Sequence, residues 1–292
     1  MRNVFDESVP YAFVRTLGNR SLRPATIRCL LSIFGNFFLS QFRLALSPGR
    51  VPVSQVDHPL DGKIPFRPRW VTVYIDFVPY WIRMLSFLIR NFGAGSLDAV
   101  REFVRSMGDL YVFAARVYTR NLSTTARPFY IAHPKFLMIH ATDPHLMCIP
   151  SLHVMVVVHA YTKFAAILRS LGQAEKLAAQ IDDMRNGALA ICQAILFVKQ
   201  HSVNCIGASV YAMTRFDPDL FPPDEAEDFC SRLFGTAPYP LGSPETGLPA
   251  GDIAEIRAHI TDSYRRFSQE GKTAGSWEEP ILNFLRRSPR VL

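Results

Sequence analysis

Apolar positions along this chain recur at three- and four-residue spacing, and nowhere in the sustained two-residue alternation of a half-buried strand. The first long apolar stretch, ATIRCLLSIFGNFFLSQFRLAL over 25–46, carries Arg28 and Arg43 near its ends. The uncharged part between them, 29–42, is shorter than the ~20 residues of a spanning helix, so an interfacial and a short spanning helix fit equally. Residues 47–70 read as loop, punctuated by Pro48, Pro52, Pro59, Pro65 and Pro68. A helix over 71–91 places Asp76, Arg83 and Arg90 seven residues apart, on one stripe that drifts only ~20° per heptad. Such a stripe belongs against a bundle interior or water rather than lipid tails. Pro79 predicts a kink in it. Over 101–119, Phe103, Met107, Leu110, Ala114 and Val117 form an apolar face, with Glu102, Arg105, Asp109 and Arg116 on the other side.

A further helix, 150–169, has Lys163 as its one charge before Arg169. The polar connection 170–186 is helical in part. Two apolar helices at 186–199 and 202–215 are separated by Lys199-Gln200-His201. At ~1.5 Å per residue, their uncharged halves fall short of a ~30 Å bilayer core. From Arg215 the chain turns acidic and Pro-rich, then loop-like over 235–251. Asp252 with Glu255 has the spacing of a capping box. Ile253, Ile256, Ile260, Tyr264 and Phe267 continue as a helical stripe ended by Gly271, and a last helix follows over 276–287. The fold class expected is all-α: a multi-helix, membrane-spanning bundle with a small helical C-terminal tail. Its parts are an N-terminal segment (1–65), the bundle (66–215) and the tail (216–292).

Composition narrows the function classes. Of 292 residues, 49% are apolar and 12% aromatic, too rich for a disordered chain. Five cysteines without CxxC spacing exclude a disulfide scaffold and suggest reduced, buried thiols. The start, MRNVFDESVPYAF, lacks the apolar core of a cleavable signal. Mean hydropathy of +0.09 lies between soluble enzymes and multi-span membrane proteins. The net charge of +7 comes from basic residues spread along the chain, without the concentrated patch of a nucleic-acid binder. A membrane surface or a single phosphate remains.

Three polar segments sit where apolar helices begin or end. Arg120-NLSTTA-Arg127-Pro128 brackets hydroxyls with two guanidiniums, whose planar forks suit phosphate oxygens. Pro150-Ser151-Leu152-His153 places a cap residue and a histidine at a helix start, where free N–H groups favour an anion. Lys199-Gln200-His201 is a polar island between apolar runs. Together they offer basic groups for a phosphate and two histidines to divide nucleophile and acid work. A second cluster, His140, Asp143, His145 and His153, has spacings that could suit zinc, but Pro144 breaks helical geometry, and His145 and Asp143 read better as loop residues near the phosphate site.

In order and spacing, the three segments resemble the type 2 phosphatidic acid phosphatase superfamily, which includes vanadium haloperoxidases. Arg120, six residues and Arg127-Pro128 match its first motif with Arg for Lys. Pro150-Ser151-Leu152-His153 matches Pro-Ser-Gly-His with Leu for Gly. His201 matches the histidine of the third motif, in the Lys-Gln-His form of one branch. Ala194 and Ile195 stand at that motif's Ser-Arg positions, and Cys205 at its Asp. The resemblance covers about 65–215. It implies that His201 attacks phosphorus to form a phosphohistidine and that His153 protonates the leaving oxygen. It also implies that Arg120, Arg127, Lys199 and Ser151 hold the phosphoryl oxygens, with no metal and no cofactor. The expected function is hydrolysis or transfer at a lipid phosphate or lipid pyrophosphate, by an integral multi-pass protein with its site on the outer face. The alternative is a membrane protein that binds a phosphorylated lipid without turnover, because a thiol at 205 is a poor acceptor for a nucleophilic histidine. Asn204, Asp143 or Asp76 are candidates to take the role of the missing Asp.

Overall fold

The computed structural model describes residues 2–47, 49–235, 239–242 and 244–291, and the chain is all-α in class. Helix α1 (Val9–Gly18) is capped by Ser8 and leads into α2 (Arg23–Ile33), whose second residue is Pro24. A π-helical segment, Phe34–Leu39, carries α2 without a break into α3 (Ser40–Ala45). Next come the short α4 (Val71–Tyr74), α5 (Phe77–Phe92) and α6 (Leu97–Tyr118). Pro79 falls in the first turn of α5, where its missing N–H costs nothing. It therefore helps to start a helix instead of kinking one, and the break lies at Ile75-Asp76.

Helix α7 (Pro134–Thr142) precedes the centre of the bundle, α8 (Leu152–Ser170), α9 (Ala178–Phe197) and α10 (Val203–Phe216). The tail adds α11 (Pro223–Arg232), α12 (Ala250–Glu270) and α13 (Glu279–Arg287). Helix α12 starts at Ala250 without a side-chain cap. Asp252 and Glu255 instead hold Lys63, which reaches Asp252 Oδ1 at 3.0 Å. The stripe from Ile256 to Phe267 packs α12 onto α10 as one body with the bundle. Gly207 permits this approach, since a Cβ there would lie 2.8 Å from Ser263 Cβ.

Among the described residues, three strands escaped the pattern: β1 (Val53–Gln55), β2 (Leu122–Thr124) and β3 (Arg290–Val291), in the order β2-β1-β3. Strand β1 runs parallel to β2 and antiparallel to β3. Strands of two or three residues are too short for alternation to register. This sheet nonetheless ties the N-terminal loop, the Arg120–Arg127 segment and the C-terminus together.

The faces read from the pattern are the faces buried. In α6, Phe103, Met107, Leu110, Ala114 and Val117 are inside and Glu102, Arg105, Asp109 and Arg116 outside. Of the stripe, Asp76 and Arg83 face inward, whereas Arg90 is exposed and reaches the N-terminal segment from the surface. Asp76 and Arg83 form a buried ion pair, and Arg90 Nε lies 2.9 Å from Glu7. Among the described residues, three helical stretches, Arg23–Leu44, Pro68–Tyr118 and Leu152–Ser170, are long and apolar enough to cross a membrane. Their surroundings differ: the protein buries 67% and 83% of the second and third, but only 22% of the first.

Candidate functional site

The second and third polar segments meet. Helix α9 ends in a tight turn in which Lys199 adopts φ +55° and the carbonyl of Ile195 accepts N–H groups from both Gln200 and His201. A left-handed residue just past a helix end reverses the chain. It directs His201 into the bundle, towards the start of α8. There His201 Nε2 lies 3.3 Å from His153 Nδ1 and 3.4 Å from Ser151 Oγ. Ser151 is the N-cap of α8 but makes no side-chain cap bond, so its hydroxyl is free for His201. Its own N–H donates to Ser209 Oγ at 2.6 Å.

His153 is clamped between Tyr74 and Phe77, with ring centroids 4.5 and 4.1 Å away. The break between α4 and α5 makes this possible, because it sets the two aromatics on either side of the imidazole. A small cavity of about 20 Å³ lies against the pair, room for roughly one water molecule. Its wall includes Asp143, His145 and Cys148, and its roof is Phe37 and Gln41 from the α2–α3 run.

His145 takes φ +61°, its N–H donating to Asp143 Oδ1 at 2.8 Å, and its Nε2 lies 2.8 Å from Thr125 Oγ1. Asp143 Oδ1 also accepts from Gln41 at 2.6 Å. Asp143 and His145 therefore lie at the site, as loop residues. Tyr74, Phe77, Phe37 and Gln41 were not visible as site residues in the sequence, since an aromatic or amide on an apolar helix gives no signal until its neighbours are known. Among the described residues, no three His, Cys, Asp or Glu side chains form a metal-sized cluster.

The basic residues divide. Arg127 stands at the edge, donating to Gln200 Oε1 at 3.0 Å and to the Asp143 carbonyl at 3.1 Å, and so holds the residue next to His201. None of Arg120, Arg127 and Lys199 lines the cavity itself, and Arg120 and Lys199 are engaged elsewhere. Arg120 pairs with Glu278 at 3.1 Å, and Lys199 donates to the Asp61 carbonyl. For Arg120 the cause is β2: a seven-residue stretch that is largely extended spans up to ~23 Å and separates its two guanidiniums. For Lys199 it is the reversal that sends His201 inward and the lysine outward.

Cys205 does not serve His201. Its sulfur accepts the Ser202 N–H at 3.4 Å and caps α10. Among the described residues, Nδ1 of His201 makes no hydrogen bond of good geometry, although the Cys148 carbonyl beside the ring favours its protonated form. None of Asn204, Asp143 and Asp76 reaches it either: Asn204 bonds the Val56 carbonyl and His259, Asp143 bonds Gln41 and His145, and Asp76 pairs with Arg83.

Burial holds both loop histidines neutral. It lowers His201 to about 4, and burial, followed by the charges of Arg127 and His201, lowers His145 to about 3. An unfolded histidine titrates near ~6.5. Below that value, the unfolded chain binds protons that the folded chain refuses. Stability is thus full above pH ~6.5 and falls as pH drops towards 4, by up to about 1.4 kcal/mol per pH unit for each ring. Asp143, raised by burial, acts in the opposite sense, so the histidine part is read as a difference. Between about pH 7.5 and pH 5, the wild type should lose about 2–4 kcal/mol more in urea denaturation than His145→Gln/His201→Gln. Equal losses would show that the rings do not enter folding neutral.

No known protein family, curated protein or solved structure matches the chain.

Proposed function

We propose that this protein is a phosphatase or phosphotransferase acting on a lipid phosphate or lipid pyrophosphate through a phosphohistidine. The observation that carries this reading is the approach of His201 Nε2 to His153 Nδ1 and Ser151 Oγ at the start of α8. A neutral His201 with its proton on Nδ1 has a lone pair on Nε2 for attack on phosphorus. As the N–P bond forms and the P–O bond breaks, the departing alcohol oxygen takes a proton from His153 as the imidazolium, a form that burial disfavours and that the negative charge of a bound phosphate favours. Water, or an acceptor alcohol, then attacks the phosphohistidine and gives its proton to His153, which restores both rings. The start of α8 supplies a positive dipole end and free N–H groups for the phosphoryl oxygens. The spacing of the three polar segments, which resembles the type 2 phosphatidic acid phosphatase superfamily, supports the same assignment. Entry of a phosphoryl group into so small a cavity requires the roof carrying Phe37 and Gln41 to shift.

Membrane association is part of this reading, since the substrate class is a lipid. The multi-pass bundle with an outer-face site is one arrangement for it. The enclosure of α8 and the charged outer face of α6 favour contact with the bilayer from one side. The engagement of Arg120 by Glu278 and of Cys205 by Ser202 favours a second functional reading, a lipid-phosphate binder without turnover. One experiment separates the two. Purified protein is incubated with radiolabelled phosphatidate and polyprenyl pyrophosphate in detergent micelles, and both released phosphate and acid-labile phosphoprotein are measured. Release together with an acid-labile phosphoprotein is the expected result. Saturable binding with neither would establish the binder, and absence of all three would end the lipid-phosphate assignment.

A further inference from the structure

The run from α2 through the π-helical segment to α3 is apolar on its outer side. Ile27, Leu31, Phe34, Phe38 and Phe42 recur at four- and three-residue intervals and so share one face. Every one of them is exposed, Leu31 at 66% and Phe34 at 59%. Scattered exposed apolar residues are ordinary, but a contiguous stripe of this length marks an interaction surface. The same run covers the histidine pair from above, since Phe37 and Gln41 on its inner side form the cavity roof.

Two further observations identify what meets this stripe. Residues 15–50 carry Arg15, Arg20, Arg23, Arg28, Arg43 and Arg50 and contain no aspartate, glutamate or lysine. Arg23 and Arg28 border a shallow groove of about 570 Å³ together with Ile27 and Leu31, and the acid paired with Arg28 is Asp109, at 4.0 Å. A second exposed apolar group, Phe129, Ile131, Leu137 and Met138, belongs to α7 and the segment before it. The Gln41–Asp143 hydrogen bond joins the end of α7 to α3. Apolar side chains interleaved with arginines, with no acidic residue in the run itself and Asp109 beside Arg28, are the pattern of a helix lying in the interface of an anionic bilayer. A protein partner of ordinary composition would not call for so one-sided a charge.

We infer that the outer face of the α2–α3 run, with the apolar tip of the α7 region, docks the protein on an anionic phospholipid surface without crossing it. The cavity roof thereby faces the bilayer. The inference does not depend on the chemistry proposed for the histidines, because binding is measured without turnover.

The test is co-sedimentation of the full chain with phosphatidylcholine vesicles, with and without about one quarter phosphatidylserine. Binding to the anionic vesicles should weaken as salt rises and be reversed by alkaline carbonate. Leu31→Glu/Phe34→Glu should partition at least about tenfold more weakly, with an unchanged thermal midpoint because both side chains are exposed. Arg23→Gln/Arg28→Gln/Arg43→Gln should remove most of the preference for anionic vesicles, whereas Arg286→Gln/Arg290→Gln should not. The inference is overturned if the wild type ignores anionic vesicles or if the Leu31/Phe34 variant binds like wild type. It is likewise overturned if carbonate fails to release the protein, as for a spanning chain, or if the stripe instead joins two copies in solution.

Discussion

Phosphate release from a lipid phosphate is expected to fall at least about a thousandfold in His201→Asn, whatever the leaving group, because the covalent intermediate forms on that ring. His153→Gln should behave differently. Loss of a general acid costs roughly 10²–10⁴ when the leaving group is a poor one such as a lipid alkoxide. In single-turnover release of p-nitrophenol from p-nitrophenyl phosphate, which reads the first step alone, the leaving group departs without a proton and the loss should shrink to less than about tenfold. The split between the two substrates is the informative readout, since a merely structural His153, wedged between Tyr74 and Phe77, would depress both equally. Equal losses would remove His153 from the acid role. Retained turnover in His201→Asn would remove the phosphohistidine.

The second large effect concerns the fold. Arg83→Met is expected to lower the free energy of unfolding by about 3–5 kcal/mol in guanidinium titration. The Arg83 and Asp76 side chains are 9% and 12% exposed, and the guanidinium also lies 5.4 Å over the Phe5 ring. Without Arg83 the Asp76 carboxylate stays buried with the Tyr239 hydroxyl as its remaining side-chain donor among the described residues. Adding Asp76→Asn should recover part of the loss, because no buried charge is then left unpaired. If single and double variants are equally unstable, lost packing of the Arg83 stem explains the effect and the charge does not.

Both predictions combine something legible in the sequence with something that was not. The heptad spacing of Asp76, Arg83 and Arg90 already placed them on one stripe. Periodicity alone left open whether that stripe met water or protein, and Phe5, Glu7 and Tyr239, which answer it, come from distant parts of the chain. Likewise, Ser151 and His153 were readable as residues at a helix start, because a cap and its helix are neighbours in sequence. The reach of His201 to them depends on the turn at Lys199, where a lysine takes a conformation that glycine more often supplies. That one dihedral also removes Lys199 from the site. The separation of Arg120 from Arg127 has a comparable cause, since an extended segment carries the chain far between them.

The helical class, the buried face of most helices and the candidate chemistry at the helix ends are legible in the linear pattern of residues. These follow from interactions between residues three or four positions apart, which a linear pattern records directly. The tertiary structure alone decided which of the apolar helices are internal. Helix α8 and the α2–α3 run have comparable mean hydropathy over their apolar windows, yet one is enclosed by other helices and the other is left outside. Hydropathy measures how much a helix gains by leaving water, and the packing of the rest of the chain determines whether protein or another apolar phase receives it.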